Sequence, residues 1–474
     1  MGIMAKTTWF DRLLSLRHPG QTESEEEVEG LVLSGGGSRA SFHIGALRYL
    51  YDICHISPTS VTATSCGSIC AAMLAQSKDP EVQSANLHVL EDYWLAMSDP
   101  SEMYTEQSWF TKLREQWGGI SDVIPAPDTS DPVFVDTSGS DAEHLVKEAI
   151  VSDPSLHDSE FSLSSMWQVL GALPRLGKVG AGMAGILRGA EHASSAFRPG
   201  PIVHRLLFES GFSADNVRTS GMKLRMAFVG IQSGELRFMR EDGIIVDSDD
   251  SPIDTTEFDL PLGVWASCAI PGVFRPVKLG DDMYIDGGIR ENLPVEMAVS
   301  GLSVTKPYVI SAIPPGVPWV DFTEKNMISI LVRTVGLLVD ETTRDEVAWA
   351  RHAGATVIAP EYEVHGSMTV EHGLLQINRD YGWMRAAEEL TGKSGNVGVY
   401  AYSSERSQPQ DVELTGVSGS LPIVLARVDL YNACKGTDTD AISDACTRLR
   451  SLLSEADPAL LPDGYESWPD EDLT

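Results

Sequence analysis

Two short aliphatic runs near the start of the chain constrain the fold more than any other feature, because each ends in small residues and opens into a helix-like repeat. "GLVLS" (Gly30–Ser34) runs into a glycine triplet and then into "ASFHIGALRYLYDI", where Phe42, Ile44, Leu47, Leu50 and Tyr51 recur at helical spacing. "SVTATS" (Ser60–Ser65) runs into "GSICAAMLAQS" (Gly67–Ser77). Buried strands read as short apolar runs closed by turn residues, and helices as longer runs with a 3.6-residue period. The order is therefore strand, loop, helix, strand, turn, helix. Parallel strands need a crossover that packs on the sheet, so this order predicts an α/β fold with a mostly parallel central sheet.

Later segments extend the pattern. "MKLRMAFVGIQ" (Met222–Gln232), "PYVISAI" (Pro307–Ile313) and "GATVIAP" (Gly354–Pro360) have strand texture, and "RDYGWMRAAEEL" (Arg379–Leu390) reads as a closing helix. Residues from about 98 to 198 differ: a Pro-, Ser- and Asp-rich loop precedes a glycine-rich apolar stretch, Met166–Phe197, that carries Arg175, Lys178 and Arg188. Ala181, Gly185 and Gly189 there have the small-xxx-small spacing that permits close helix contact. The segment reads either as a helical pair closing on the core or as a lipid-facing flap. At the amino end, Trp9, Phe10, Leu13, Leu14 and Leu16 recur at helical spacing ahead of an acidic linker, Glu23–Glu29. That helix either docks on its own domain or lies on lipid. Beyond Thr391 the chain turns Ser-, Gly- and Asp-rich, with one helical stretch (Asp440–Ala456) and an acidic tail expected to be disordered. The expected division is an amphipathic segment and linker over 1–29, a main α/β unit over 30–391 with the insertion at 98–198, and a C-terminal extension over 392–474.

Charge narrows the partners. Lysine and arginine number 35 against 68 acidic residues, for a formal charge of −33. Such a surface repels phosphate backbones, so nucleic acid is excluded as a partner, and bulk docking on anionic membranes is disfavoured. The six cysteines form no CxxC pair, which suits reduced thiols in a cytoplasmic setting and leaves no zinc-ligand spacing. "MGIMAKTTWFDRLLSLRHPG" has no signal-peptide core, and no uninterrupted apolar run of about 18 residues predicts a membrane span.

Three separated pieces carry chemistry. "SGGGSRASFHIGAL" (Ser34–Leu47) places a glycine triplet at a strand end, where backbone N–H groups can converge on an anion or a developing oxyanion. "TATSCGSIC" (Thr62–Cys70) places Ser65 between small residues, as a nucleophile on a tight strand-to-helix turn requires, although Ala63 stands where such turns usually carry glycine. A helix-capping serine is the alternative there. "YIDGGIRENLPV" (Tyr284–Val295) puts Asp286 at a strand end before two glycines, and a structural turn aspartate is the alternative.

Taken together and in this order, the three resemble the patatin-like phospholipase family. "WASCAIPGVFRPV" (Trp265–Val277), Asn292 and Pro294 match the family's pattern around the Asp-Gly-Gly loop. Ala63 and Ala40 replace glycines of that pattern. The resemblance covers roughly Gly30–Leu390. It implies a three-layer α/β/α fold and a lipid acyl hydrolase with a Ser–Asp dyad. Ser65 would be the nucleophile and Asp286 the base. Gly35, Gly36, Gly37 and Cys66 would form the oxyanion hole, with Arg39, Gly67, Gly287 and Gly288 in support. Arg39 would steady the loop or attract an anionic head group. No metal or cofactor is implied, and the partner is a lipid substrate at a membrane surface approached peripherally. Two rival readings remain: a Ser–His–Asp esterase using His43, His352, His365 or His372, and a non-catalytic binding protein on the same fold.

Overall fold

In the computed structural model, β1 (Glu29–Leu33) leads through a single 3-10 turn (Gly37–Arg39) into α1 (Ala40–Asp52). β2 (Ser60–Thr64) passes at Ser65 directly into α2 (Cys66–Leu74). The structure describes residues 27–107, 195–314, 327–393, 419–436, 438–471 and 473. α3 (Pro80–Leu95) starts where the Asp79 carboxylate accepts the Glu81 N–H and proline takes the first helical position. β3 (Tyr104–Glu106) and β4 (Phe197–Pro199) form a separate antiparallel ribbon. Then follow α4 (Pro201–Phe208), α5 (Ala214–Ser220), β5 (Lys223–Gly230), β6 (Leu236–Arg240), β7 (Ile244–Val246), β8 (Pro252–Glu257) and α6 (Leu260–Ser267). β9 (Val277–Leu279), β10 (Asp282–Asp286), β11 (Lys306–Ile310), α7 (Met327–His352), β12 (Thr356–Ile358), α8 (His372–Thr391), α9 (Ser420–Lys435) and α10 (Thr439–Glu455) complete the order.

The central sheet has two halves. β12, β11, β1, β2 and β5 lie side by side and all pair in parallel. From β5 outward, β6, β7 and β8 continue as an antiparallel wing, and β10 with β9 also pairs antiparallel on β5. The wing was not foreseen: β6 and β7 carry Arg237, Arg240 and single glycine turns, and hairpins of this kind need no crossover helix to announce them. β1 is the switch point, with the chain winding to β2 on one side and returning to β11 on the other. In open α/β sheets the crevice outside the carboxyl ends of such strands is where ligands bind.

Residue alternation puts cores on both faces. Leu31 and Leu33 join one cluster with Phe42, Leu47, Ile310 and Tyr381, while Val32 joins another with Val309, Val347 and Val357. Side chains along a strand point alternately to opposite faces, so both faces of β1 are covered, and the fold is α/β/α. α1 and α8 cross in backbone contact. A Cβ on Gly45 would lie 1.7 Å from the Arg379 carbonyl oxygen, and one on Gly382 would lie 2.1 Å from that of Phe42. Because α1 begins at the glycine triplet, that contact holds the site's first loop against the body.

The C-terminal region departs from expectation. Two helices lie there rather than one, since α9 was hidden by the Ser- and Gly-rich sequence before it. The acidic tail is packed. Trp468 and Leu473 are buried in the main core cluster, and the Arg427 guanidinium stacks 3.9 Å from the Trp468 ring centre. Buried Arg427 pairs with Asp380 on α8 and with Glu471, at 3.1 Å. A buried guanidinium needs counter-charge, which gives the tail's carboxylates a structural use that composition does not reveal. Among the described residues, no helix is long and apolar enough to cross a membrane. The expected Trp9–Leu16 helix and nearly all of the glycine-rich Met166–Phe197 stretch lie outside the described residues.

Candidate active site

β2 ends at Thr64 and α2 starts at Cys66, which leaves Ser65 alone to turn the chain. Its φ of 53° and ψ of −129° place a non-glycine residue in the left-handed half of conformational space. Such a residue costs on the order of 1–3 kcal/mol and persists when its surroundings over-determine it. Two surroundings do so. Gly67 lets α2 press on β1, where a Cβ would come 2.6 Å from the Ser34 carbonyl oxygen. Ala63 merely fits, its methyl fully buried in the core. The second is a hydroxyl from α6. The Ser65 N–H donates to Ser267 Oγ at 2.9 Å, and Ser267 Oγ donates to the Ala227 carbonyl at 2.7 Å. The Ser68 hydroxyl, 2.8 Å away, completes the cluster. Ser267 thus bridges the end of β2 to the β5 carbonyl from which β2 has turned away.

β10 brings the second group to the same edge of β5 from the opposite direction. Thr64 is opposite Ala227 and Asp286 is opposite Phe228, the next residue along β5. The ends of β2 and β10 therefore abut, which brings the Ser65 side chain beside the Asp286 carboxylate, close enough to help hold its pKa down. Asp286 Oδ1 also accepts the Gly288 N–H at 2.8 Å, and the Asp286 N–H donates to the Ala269 carbonyl at 3.0 Å. Gly287 lies over Ala227, whose carbonyl oxygen would stand 2.7 Å from a Cβ there. Ser65 and Asp286 are each 5% exposed. Burial pushes the Asp286 pKa up to about 6, and the hydrogen bonds from Ser65 and Gly288 restrain it.

The glycine triplet lies across Ser65, with the Gly35 Cβ position 3.1 Å from Ser65 Cβ. Gly35 departs from its expected role. Its N–H is engaged by Asn292, at 3.1 Å to Oδ1 and 3.2 Å to the carbonyl, so it locates the loop and is not an open donor. Gly36 packs on Ala312 and near the Cys66 sulfur. Gly37 has a φ of +62°, with the Ser367 carbonyl oxygen where a side chain would begin. The N–H groups of Gly37 and Gly67 approach the Cys66 thiol, whose pKa burial pushes up to about 12. Arg39 Nε donates to the Gly36 carbonyl at 3.2 Å and its guanidinium pairs with Glu363 at 2.9 Å.

The four candidate histidines are placed elsewhere. Buried His43 has Nε2 3.4 Å from the Ser34 hydroxyl, and burial pushes its pKa down to about 3. His365 Nδ1 lies 3.0 Å from the Gly366 carbonyl and His372 Nδ1 lies 2.6 Å from that of Leu95, while His352 is exposed. None of these contacts involves Ser65. Sequence reasoning missed Ser267, although it lies inside the quoted "WASCAIPGVFRPV", because nothing in a lone serine announces a partner 202 residues away. It also missed Thr343 and Glu346 on α7, which grip the segment after the Asp-Gly-Gly turn: Thr343 Oγ1 accepts from Asn292 Nδ2 at 2.9 Å, and Glu346 accepts the N–H groups of Asn292 and Leu293.

A family model described as patatin-like phospholipase matches residues 31–299, a span that takes in the glycine triplet, the Ser65 turn and the Asp286 loop. Two patatin-like phospholipase domain-containing proteins of Cryptococcus neoformans var. neoformans serotype D, from strains B-3501A and JEC21, are each 34% identical over 94 residues. That match is 20% of this chain, and it spans 10% and 9% of the two relatives' length. Among solved structures, VipD from Legionella pneumophila aligns with 94% of this chain and 83% of its own at 14% identity and a TM-score of 0.30. ExoU, in the ExoU–SpcU complex of the Pseudomonas aeruginosa type III secretion system, aligns with 92% of this chain and 68% of its own at 13% identity and a TM-score of 0.22. The family match extends over more than half of the 474 residues: the chain belongs to the patatin-like phospholipase family.

Proposed function

We propose that the protein is a lipid acyl hydrolase that cleaves carboxylic-ester bonds of phospholipids or lysophospholipids through a Ser65–Asp286 dyad. The observation that carries the reading is the end-to-end meeting of β2 and β10 on β5, which sets the Ser65 side chain beside the buried Asp286 carboxylate. Serine is a weak nucleophile until a neighbouring base takes its proton. Ser65 Oγ attacks the ester carbonyl as Asp286 removes its proton, giving a tetrahedral oxyanion. The N–H groups of Gly36 and of Cys66 at the start of α2 are the oxyanion donors in this reading, joined by that of Gly37 once it turns from the Cys66 thiol; each such donor contributes on the order of 3 kcal/mol to the transition state. Asp286 returns the proton to the departing alkoxide, which leaves an acyl-Ser65. Water then attacks, again deprotonated by Asp286, and the fatty acid is released with Ser65 restored. A carboxylate whose pKa is about 6 suits both duties, because it is largely ionised at neutral pH and more basic than an exposed aspartate.

The test is hydrolysis of a phospholipid and lysophospholipid panel by purified protein, with Ser65→Ala and Asp286→Ala alongside and a chelator added in parallel. Fatty-acid release by the unaltered chain, unaffected by chelator and abolished by both substitutions, is the expected result. Full activity in Asp286→Ala would sink the dyad. A cellular effect that survives Ser65→Ala would favour the non-catalytic alternative.

A further inference from the structure

Asn292 stands where three parts of the site come together, and every polar atom of its amide has a partner. It follows the Asp286-Gly-Gly turn by a few residues and is 2% exposed. Oδ1 accepts the Gly35 N–H, which ties the glycine triplet to the Asp286 segment. Nδ2 donates to Thr343 Oγ1 on α7, and the Thr343 hydroxyl donates in turn to the Val339 carbonyl at 2.7 Å, so the direction of the amide is fixed. The segment carrying Asn292 is itself pinned to β2. The Thr62 hydroxyl donates to the Pro294 carbonyl at 2.8 Å and that of Thr64 to the Glu291 carbonyl at 3.1 Å. The packing leaves no slack, since Oδ1 is 2.5 Å from the Cβ position of Gly35 and 2.9 Å from that of Gly288. One side-chain oxygen therefore touches both the loop that supplies oxyanion donors and the loop that supplies the base.

We propose that Asn292 is a positioning residue that sets the oxyanion loop against the Ser65–Asp286 dyad, with Thr343 fixing the orientation of its amide. The inference rests on the dyad reading above. Donors aimed at a developing oxyanion work only within a few tenths of an ångström, and misplacement by about 1 Å costs on the order of a hundredfold in rate. Asn292 does not contact the reacting atoms, so its loss should lower turnover while leaving ground-state binding of the acyl chain intact.

The experiment compares the full chain with Asn292→Ala, Thr343→Val, Thr343→Ser and Ser65→Ala on 4-nitrophenyl butyrate. Functional serines are counted with a fluorophosphonate, so that kcat is expressed per reactive Ser65. Asn292→Ala is expected to lower kcat about 10- to 100-fold with KM within about twofold, and to slow phosphonylation in parallel. Thr343→Val, which removes a hydroxyl at nearly constant volume, should give a smaller loss of the same kind, and Thr343→Ser should restore most of it. A drop in the number of reactive serines at unchanged kcat per serine would assign Asn292 to folding alone and overturn the proposal. Unchanged kcat in both Asn292→Ala and Thr343→Val would overturn it as well. Activity surviving in Ser65→Ala would instead mark the failure of the dyad itself, and the positioning role would fall with it.

Discussion

The turn after β2 and the turn after β10 meet on one edge of β5, yet different chemistry anchors them. At Ser65 the backbone is strained, and the group that holds it, Ser267, comes from a distant helix. At Asp286 the backbone stays at negative φ, and the residue caps its own turn by accepting the Gly288 N–H. Ser65, the proposed nucleophile, is therefore vulnerable to changes in its supporting shell. Asp286, the proposed base, is robust in geometry but exposed in its electrostatics, because a buried carboxylate depends on everything that disfavours its charge. The difference matters for mutagenesis, since the same loss of activity arises by relaxing one turn or by neutralising the other.

The largest expected effect separates charge from geometry on the Asp286 side. Asp286→Asn keeps an oxygen to cap Gly288 and removes the base, so kcat should fall about a thousandfold with the fold intact. In the unaltered protein kcat/KM should rise with pH and level off above an acid limb near pH 6, the value of the Asp286 pKa. The stability sign runs the other way. Because the folded-state pKa is raised, the stability Asp286 contributes is fully present below the ordinary carboxylate value and is lost as pH rises through about 6. Asp286→Asn should thus melt higher than the parent at pH 8, and the gap should close by pH 4. Melting curves at the two pH values check this; a variant that melts lower at pH 8 would mean that the carboxylate, not its geometry, holds the turn.

Ser267→Ala probes the other side of the comparison and should have the next largest effect. It leaves the Ser65 N–H and the Ala227 carbonyl buried without their bridge, at a cost of about 1–3 kcal/mol for each group left unsatisfied. Freed of its anchor, the Ser65 turn can relax, and kcat should fall about 10- to 100-fold while the acid limb stays where it was. Thermal melts and a pH profile on the same preparation distinguish the two sides. Lost stability with an unmoved pH limb marks the nucleophile's shell, and a moved limb would mean that Ser267 acts through Asp286.

Much of this site was legible because its pieces are local. The glycine triplet, the small residues around Ser65 and the Asp-Gly-Gly turn each write their backbone requirements into adjacent letters, and so do the strands and helices that precede and follow them. The parallel core was readable for the same reason, since Leu31, Val32 and Leu33 form a continuous run that needs helices on both faces. What stayed hidden depends on distant contacts. Ser267, Thr343 and Glu346 have ordinary neighbours in sequence and acquire meaning when α6 and α7 fold over the loops. The packed C-terminal tail was hidden by composition, because its acidic residues are visible while the buried Arg427 they face lies on α9. Gly35 shows the opposite error: a residue in the right motif whose N–H already has a partner.

Ala63 supplies the smallest and most discriminating test of how much strain the Ser65 turn carries. Alanine replaces the glycine usual at this position, yet its methyl is fully buried in the core and its backbone lies in register between Leu33 of β1 and Met226 of β5. If the turn is determined by Ser267 and Gly67, Ala63→Gly changes nothing at Ser65 and simply removes a packed methyl from a strand. Glycine in a strand interior costs about 0.5–1 kcal/mol relative to alanine, and the lost methyl about 0.8 kcal/mol more. Stability should therefore drop by about 1–2 kcal/mol in denaturant unfolding, with kcat within about threefold of the parent. A tenfold rise in kcat would show instead that the alanine holds the turn open and that the strain at Ser65 is set from the strand side.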